Sequence, residues 1–151
     1  MHPQLQRRES FSVAGLTIRA PHDGDGSPPA RPISELWGRF FDERIYQTTP
    51  HRTDDRRLYS VYSGYESDAH GPVDITAGVA VSNGPTAVRI EAGDYLVFNG
   101  QGEMPQMVLA VWQTIWQYFE QHPEIRRSWR SDFEAYSGPD EVAVHIGVIL
   151  D

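Results

Sequence analysis

The stretch Asp132-Phe133-Glu134-Ala135-Tyr136 alternates polar and apolar residues, the period of a β-strand. Asp132, Glu134 and Tyr136 therefore share one face, and Phe133 and Ala135 share the other. Further aromatic rings are available to Glu134. Trp112 and Trp116 lie one helical turn apart and can present neighbouring rings. Tyr62 and Tyr65 end another strand, on opposite faces. A carboxylate set among Tyr and Trp is the chemistry of a cation receptor. Ring quadrupoles attract a delocalised or quaternary cation, and the carboxylate supplies a counter-charge that gains strength where water is excluded. Two plainer readings compete with it. The acidic strand face is wet, or Trp112 and Trp116 are ordinary core residues.

Other chemistries find no motif. The chain has no cysteine, which excludes disulfides, thiolate nucleophiles, Cys-based zinc sites and iron–sulfur clusters. The histidines (His2, His22, His51, His70, His122 and His145) do not pair at ligand spacing, so no metal site is expected. His22 lies near Asp23 and Asp25, but a Gly/Pro loop lacks the fixed surroundings that orient metal ligands. His145 is expected to be exposed or at a pocket edge. There is no G-x-S-x-G elbow. Where a P-loop needs Gly-Lys-Ser/Thr, the chain offers Gly102-Glu103-Met104, whose acid repels phosphate.

The elements that must position these residues come in two similar sets. Phe11 to Arg19 reads as a strand, and Ala20 to Arg31 as a mobile Gly/Pro/Asp loop. A helix from Pro32 to near Tyr46 carries the stripe Ile33, Leu36, Trp37, Phe40 and Phe41. A polar loop, Gln47 to Arg57, leads to strands over Leu58 to Tyr65 and Val73 to Val81. The order then repeats: strand Asp94 to Asn99, a helix from Pro105 to Gln121, and strands Asp132 to Tyr136 and Glu141 to Leu150. Val61-Tyr62-Ser63-Gly64 also matches Ala135-Tyr136-Ser137-Gly138. Two strand-helix-strand-strand (βαββ) units predict an α+β fold, an antiparallel sheet system with two helices around a central cleft. Such junctions are preferred places for small-molecule pockets.

A length of 151 residues suits one domain. A net charge of -8 disfavours direct nucleic-acid binding through phosphates. No apolar run approaches a membrane span, and Met1 to Ser10 lacks the apolar core of a secretory signal. The expectation is a cytoplasmic protein without membrane contact. Its oligomeric state is barely legible, with a monomer preferred.

Four stretches resemble the GyrI-like small-molecule-binding domain, the effector-binding domain of AraC- and MerR-type regulators. They are LYSVYSGYE (58–66), AGVAV (77–81), VWQTIWQYF (111–119) and DFEAYSGPDEVAVHIGVI (132–149). The last is the most specific, through its Phe-Glu-x-Tyr strand. The resemblance covers residues 8–150 and leaves 1–7 as a short tail. It implies two βαββ units around a cleft, in which multidrug-sensing members bind lipophilic cations with a buried glutamate. That glutamate corresponds to Glu134, and the tyrosine of the motif to Tyr136. Trp112 or Trp116 would supply the helix wall, and Tyr65, in preference to Tyr62, the first-half wall. The regulators carry a DNA-binding helical domain before this one, which residues 1–10 do not resemble, so a stand-alone member is expected.

The expected function is non-catalytic binding of amphipathic, cationic or aromatic small molecules, without a cofactor or a catalytic residue. Two alternatives remain open. One is a small hydrolase of reactive hydrophobic compounds that uses Glu134. The other is a protein-interaction module, such as a DNA gyrase modulator.

Overall fold

Strict alternation of apolar residues drives the chain into a single sheet. The computed structural model describes residues 3–21, 29–66, 71–82 and 88–150. Its strands are β1 (Gln4–Arg8), β2 (Phe11–Ala20), β3 (Leu58–Ser63), β4 (Val73–Val81), β5 (Val88–Ile90), β6 (Gly93–Gln101), β7 (Arg126–Gly138) and β8 (Glu141–Ile149). The helices are α1 (Ala30–Asp42), α2 (Ile45–Thr48) and α3 (Gln106–Gln121). The strand order is β1-β6-β8-β7-β3-β4-β2-β5, every neighbour antiparallel. This is the expected α+β fold, with the sheet curled into a half-barrel.

The duplication is written into the strand order. The six central strands, β6-β8-β7-β3-β4-β2, read the same from either end when β6, β7 and β8 stand for β2, β3 and β4. At the centre β3 meets β7 with Leu58 opposite Tyr136, Ser60 opposite Glu134 and Tyr62 opposite Asp132. The pseudo-two-fold axis therefore passes through the Ser60·Glu134 pair, and Tyr62 is the equivalent of Tyr136. β1 and β5 extend the two ends of this array.

Several elements depart from expectation, among them β5, a short strand on β2 where none was expected. Gln4–Arg8, read as tail and its border, pairs with β6 as an edge strand. The single helix expected over 32–46 starts earlier and breaks at Arg44, whose left-handed φ of 56° ends α1 and re-aims the chain. Ile45 and Tyr46 then pack against the core instead of continuing the α1 stripe. β7 begins six residues early. Arg127 pairs with Val148 and Asp132 with Ile146, so the intervening residues bulge out opposite Gly147. Of the two expected loops, Ala20 to Arg31 has its ends in β2 and α1 and its residues 22–28 outside the described ones, and Gln47 to Arg57 starts in α2.

Both faces of the sheet are buried. On one face Leu36 and Phe40 of α1 and Val111, Trp112 and Ile115 of α3 pack on Ile75, Val144 and Ile146. On the other, strand side chains bury one another: Val13, Tyr59, Val61, Tyr95 and Phe133. Curling makes this possible. The rings of Phe11 in β2 and Phe133 in β7 lie 5.5 Å apart, although β3 and β4 intervene and a flat sheet would separate those strands by roughly 14 Å. Gly15 and Gly78 face each other in the tightest part of the ladder. A Cβ on Gly15 would meet the Ala77 carbonyl oxygen at 1.9 Å.

Candidate functional site

The helices leave a cleft between them over the centre of the sheet. There β3 and β7 present Leu58, Tyr62, Glu134 and Tyr136 outward, toward α1 and α3. The result is a cavity of about 830 Å³. Its walls are mainly apolar, with Trp37 and Phe41 from α1 and Val108 and Trp112 from α3. Among the described residues lining it, Glu134 is the only acid.

Glu134 is 3% exposed, so burial alone would make its charge costly. Three donors converge on it. Tyr62 Oη donates to Oε2 at 2.8 Å, Trp112 Nε1 donates to Oε2 at 2.8 Å, and Tyr136 Oη donates to Oε1 at 2.6 Å. No cationic side chain bridges to Glu134 among the described residues. Burial pushes its pKa above the ordinary value, and the three hydrogen bonds only partly oppose that rise. Burial first, and then the Glu134 charge, likewise hold both tyrosine hydroxyls in their protonated, donating form. The arrangement is a pre-oriented, partly satisfied carboxylate at the floor of an aromatic cleft, without an ion-pair partner among the described residues; Arg31, which also lines the cleft, pairs with Glu35 at 3.3 Å.

The aromatic walls follow the pseudo-symmetry. Tyr62 meets Trp112 edge-to-face at 5.6 Å and 79°. Tyr136 meets Trp37 in the same manner at 6.1 Å and 80°. Two Tyr–Trp pairs thus flank Glu134, each joining a tyrosine of one half to a tryptophan of the other.

Of the residues singled out from sequence, the fold brings Glu134, Tyr136, Trp112 and Tyr62 together. Trp116 is 6.3 Å from Trp112 but packs against the core and does not line the cavity. Tyr65, the preferred first-half wall, does not line it either. Strand β3 ends at Ser63, and Gly64, at φ 60°, turns the chain. Tyr65 therefore returns to the face of Tyr62 and donates its hydroxyl to Asp132 Oδ2. Strand alternation could not foresee a left-handed turn inside the motif. Trp37 was legible only as part of a helical stripe, and its place in the wall depends on which way α1 is rotated.

The remaining polar candidates are occupied elsewhere. Asp132 shares the Glu134 face, but it accepts from Gly147 N at 2.8 Å and pairs with Arg127 at 2.7 Å. His145 is not at a pocket edge. It is 2% exposed, on the opposite face of the sheet, and stacked on Phe133 with centroids 4.2 Å apart. Alternation along β8 does separate it from Val144 and Ile146, but that other face is buried too. Burial, helped by the Arg8 charge, lowers its pKa to about 3. Among the described residues no three His, Asp or Glu side chains gather as a metal site, and no helix is long and apolar enough to cross a membrane.

Comparison with known proteins agrees with this architecture. The family model of Cass2, the integron-associated effector binding protein, matches residues 4–147. An integron cassette protein from the mobile metagenome of Vibrio cholerae has 27% identity and a TM-score of 0.74, covering 98% of this chain and 96% of that one. The structure of SAV2435 bound to tetraphenylphosphonium has a TM-score of 0.82 at 18% identity, covering 99% and 94%. A Staphylococcus aureus MU50 protein described as a transcription regulator has a TM-score of 0.79 at 16% identity, covering 98% of each. The last two likenesses are of fold. No curated protein matches the chain. With the family match spanning nearly every strand and both long helices, the chain belongs to the Cass2 family of integron-associated effector binding proteins, built on the GyrI-like effector-binding fold.

Proposed function

We propose that this protein binds lipophilic organic cations in the cleft between α1 and α3, with Glu134 as counter-charge and the surrounding rings as walls. The observation that carries the reading is the state of Glu134. It is buried, held by three neutral donors, and has no cationic partner among the described residues. A cation entering the cleft supplies the missing charge and gains ring contacts that water does not offer. The bound tetraphenylphosphonium in SAV2435 supports the ligand class, since that protein shares the fold.

The reading is non-catalytic. The polar groups nearest Glu134 are two tyrosines and an indole that donate to it, and tyrosines held firmly protonated are poor bases.

Two ions of nearly the same shape and opposite charge test the proposal. Tetraphenylphosphonium should bind and quench tryptophan fluorescence saturably, and tetraphenylborate should not. Equal binding of both would make the cleft a plain apolar cavity and remove Glu134 from the account.

A further inference from the structure

The cleft has a symmetry that restricts its ligands further. Resting on the cation-binding reading above, we propose that it selects monocations carrying their charge between two aryl arms, and that Trp37 determines this selectivity.

Three observations converge. First, the carboxylate sits on the pseudo-two-fold axis, because Glu134 pairs with Ser60 across β3 and β7. A charge that meets Glu134 is therefore central in the cavity. Its symmetry mate is a neutral serine, and no other acid lines the cleft among the described residues, so a second positive charge would find no partner there. Second, two edge-to-face Tyr–Trp pairs, related by the pseudo-symmetry and each joining the two halves, flank the carboxylate at nearly the same separation and angle. A cation with one aryl arm can engage one pair, and a cation with two arms can engage both. Third, the two pairs differ in exposure and in hydrogen bonding. Trp112 is 5% exposed and bonded through Nε1 to Glu134. Trp37 makes no such bond and is only half-buried. Among the described residues, Oε2 already accepts from both Tyr62 and Trp112, whereas Oε1 accepts only from Tyr136. A carboxylate oxygen has room for about two donors, so Oε1 keeps free capacity. That oxygen lies on the Tyr136–Trp37 side. The open acceptor and the available ring coincide, and an aryl arm placed there must meet Trp37.

Two isomeric quaternary cations make the test. Dibenzyldimethylammonium carries its two phenyl rings in two arms. (Biphenyl-4-ylmethyl)trimethylammonium carries the same two rings in one arm, with the same composition and charge. Calorimetric titration of wild type, Trp37→Leu, Trp116→Leu and Glu134→Gln with both isomers reads the preference as a ratio of affinities. In wild type the two-armed isomer should bind about tenfold tighter, the size of one or two aromatic contacts. Trp37→Leu should reduce the ratio to about twofold or less, while Trp116→Leu, a Trp loss outside the cavity, should leave it intact. Because each variant is judged by a ratio, a change in its stability does not mimic the effect. A flat ratio in wild type, or a ratio that survives Trp37→Leu, overturns the inference, and if both isomers then still lose affinity in Glu134→Gln, the cation-binding reading stands without it. If neither isomer binds wild type, or both bind Glu134→Gln as tightly as wild type, that reading falls as well.

Discussion

Ser60 and Glu134 are direct cross-strand partners at the centre of the β3·β7 ladder, equivalent by the duplication and opposite in chemistry. Their neighbours keep the equivalence. Tyr62 and Tyr136 both turn their hydroxyls to the one carboxylate, at 2.8 and 2.6 Å. A symmetric pair of glutamates would set two buried negative charges against each other, at a cost of several kcal/mol or a shared proton. With a serine on one side, a single carboxylate takes donors from both halves. The cleft is thereby near-symmetric in shape and asymmetric in charge.

The burial of Glu134 should show in the pH dependence of stability. Its folded pKa lies above the ordinary 4.5. Between those two values the folded state binds more protons than the unfolded state, so the Glu134 contribution declines as pH rises through that window. Glu134→Gln lacks this loss. Urea unfolding across pH 4.5–8 should show the variant gaining on wild type as pH rises. A constant difference at all pH values would mean that Glu134 titrates normally.

The same titration governs the ligand. Cation affinity should fall as pH drops through the raised pKa of Glu134, because the protonated acid offers no charge. Calorimetry with tetraphenylphosphonium between pH 5 and 8 reads this directly, and a pH-independent affinity would contradict it.

Trp112→Phe keeps a ring against Tyr62 and deletes one of the three donors to Glu134. Leaving a buried carboxylate short of a hydrogen bond should cost about 1–3 kcal/mol at pH 8. The cost should shrink at pH 4.5, where Glu134 is more protonated. Denaturant midpoints at the two pH values check it. The same small cost at both would show that the indole–carboxylate bond contributes little.

What was legible in the sequence, and what was not, follows from which interactions are local. Val73 to Val81 alternates without interruption, and β4 has those same bounds. Pro105 and the stripe through Ile115 likewise place α3 to within a residue. The phase of Phe133-Glu134-Ala135-Tyr136 puts Glu134 and Tyr136 on one face, as found. The role of Tyr65 was not legible, because it turns on the φ of Gly64. Nor was the burial of His145, because the face it occupies is covered only when the sheet curls and brings Phe11 over Phe133. Gln4–Arg8 holds a single apolar residue, Leu5, and becomes a strand through the ladder offered by β6, which no local pattern announces. Trp37 reads as core in any helix, and only the placement of α1 beside Tyr136 makes it part of the wall.

Asp132 separates structural from ligand-related acids on the same strand face. Its carboxylate is fully buried and pairs with Arg127 at 2.7 Å, while the Gly147 N–H holds its other oxygen at 2.8 Å. Asp132→Ala would strand the Arg127 guanidinium and should cost about 3–5 kcal/mol. Thermal unfolding should report that loss, and whatever protein remains folded should bind cations as wild type does. A variant of unchanged stability with lost binding would move Asp132 into the site.

His145 predicts an opposite pH signature. Its folded pKa, lowered to about 3, lies well below the usual 6.5. Below pH 6.5 the unfolded state takes up a proton that the folded state refuses, so stability is lost as pH falls toward 3. His145→Phe removes that penalty and keeps a ring on Phe133. Relative to wild type, the variant should improve by up to about 3 kcal/mol between pH 7 and pH 4. Parallel stability curves would show that His145 is protonated inside the fold.

The measurement closest to the central claim is calorimetric titration of tetraphenylphosphonium into wild type and Glu134→Gln at pH 8, beside neutral triphenylphosphine oxide. The substitution changes charge and almost nothing in shape. The account predicts a loss of about 1–3 kcal/mol for the cation, from the charge partner alone, with the neutral ligand hardly changed and the variant as stable as wild type or more so. Equal affinity of the cation for both proteins would contradict it and leave Glu134 a structural acid bonded to two tyrosines and a tryptophan.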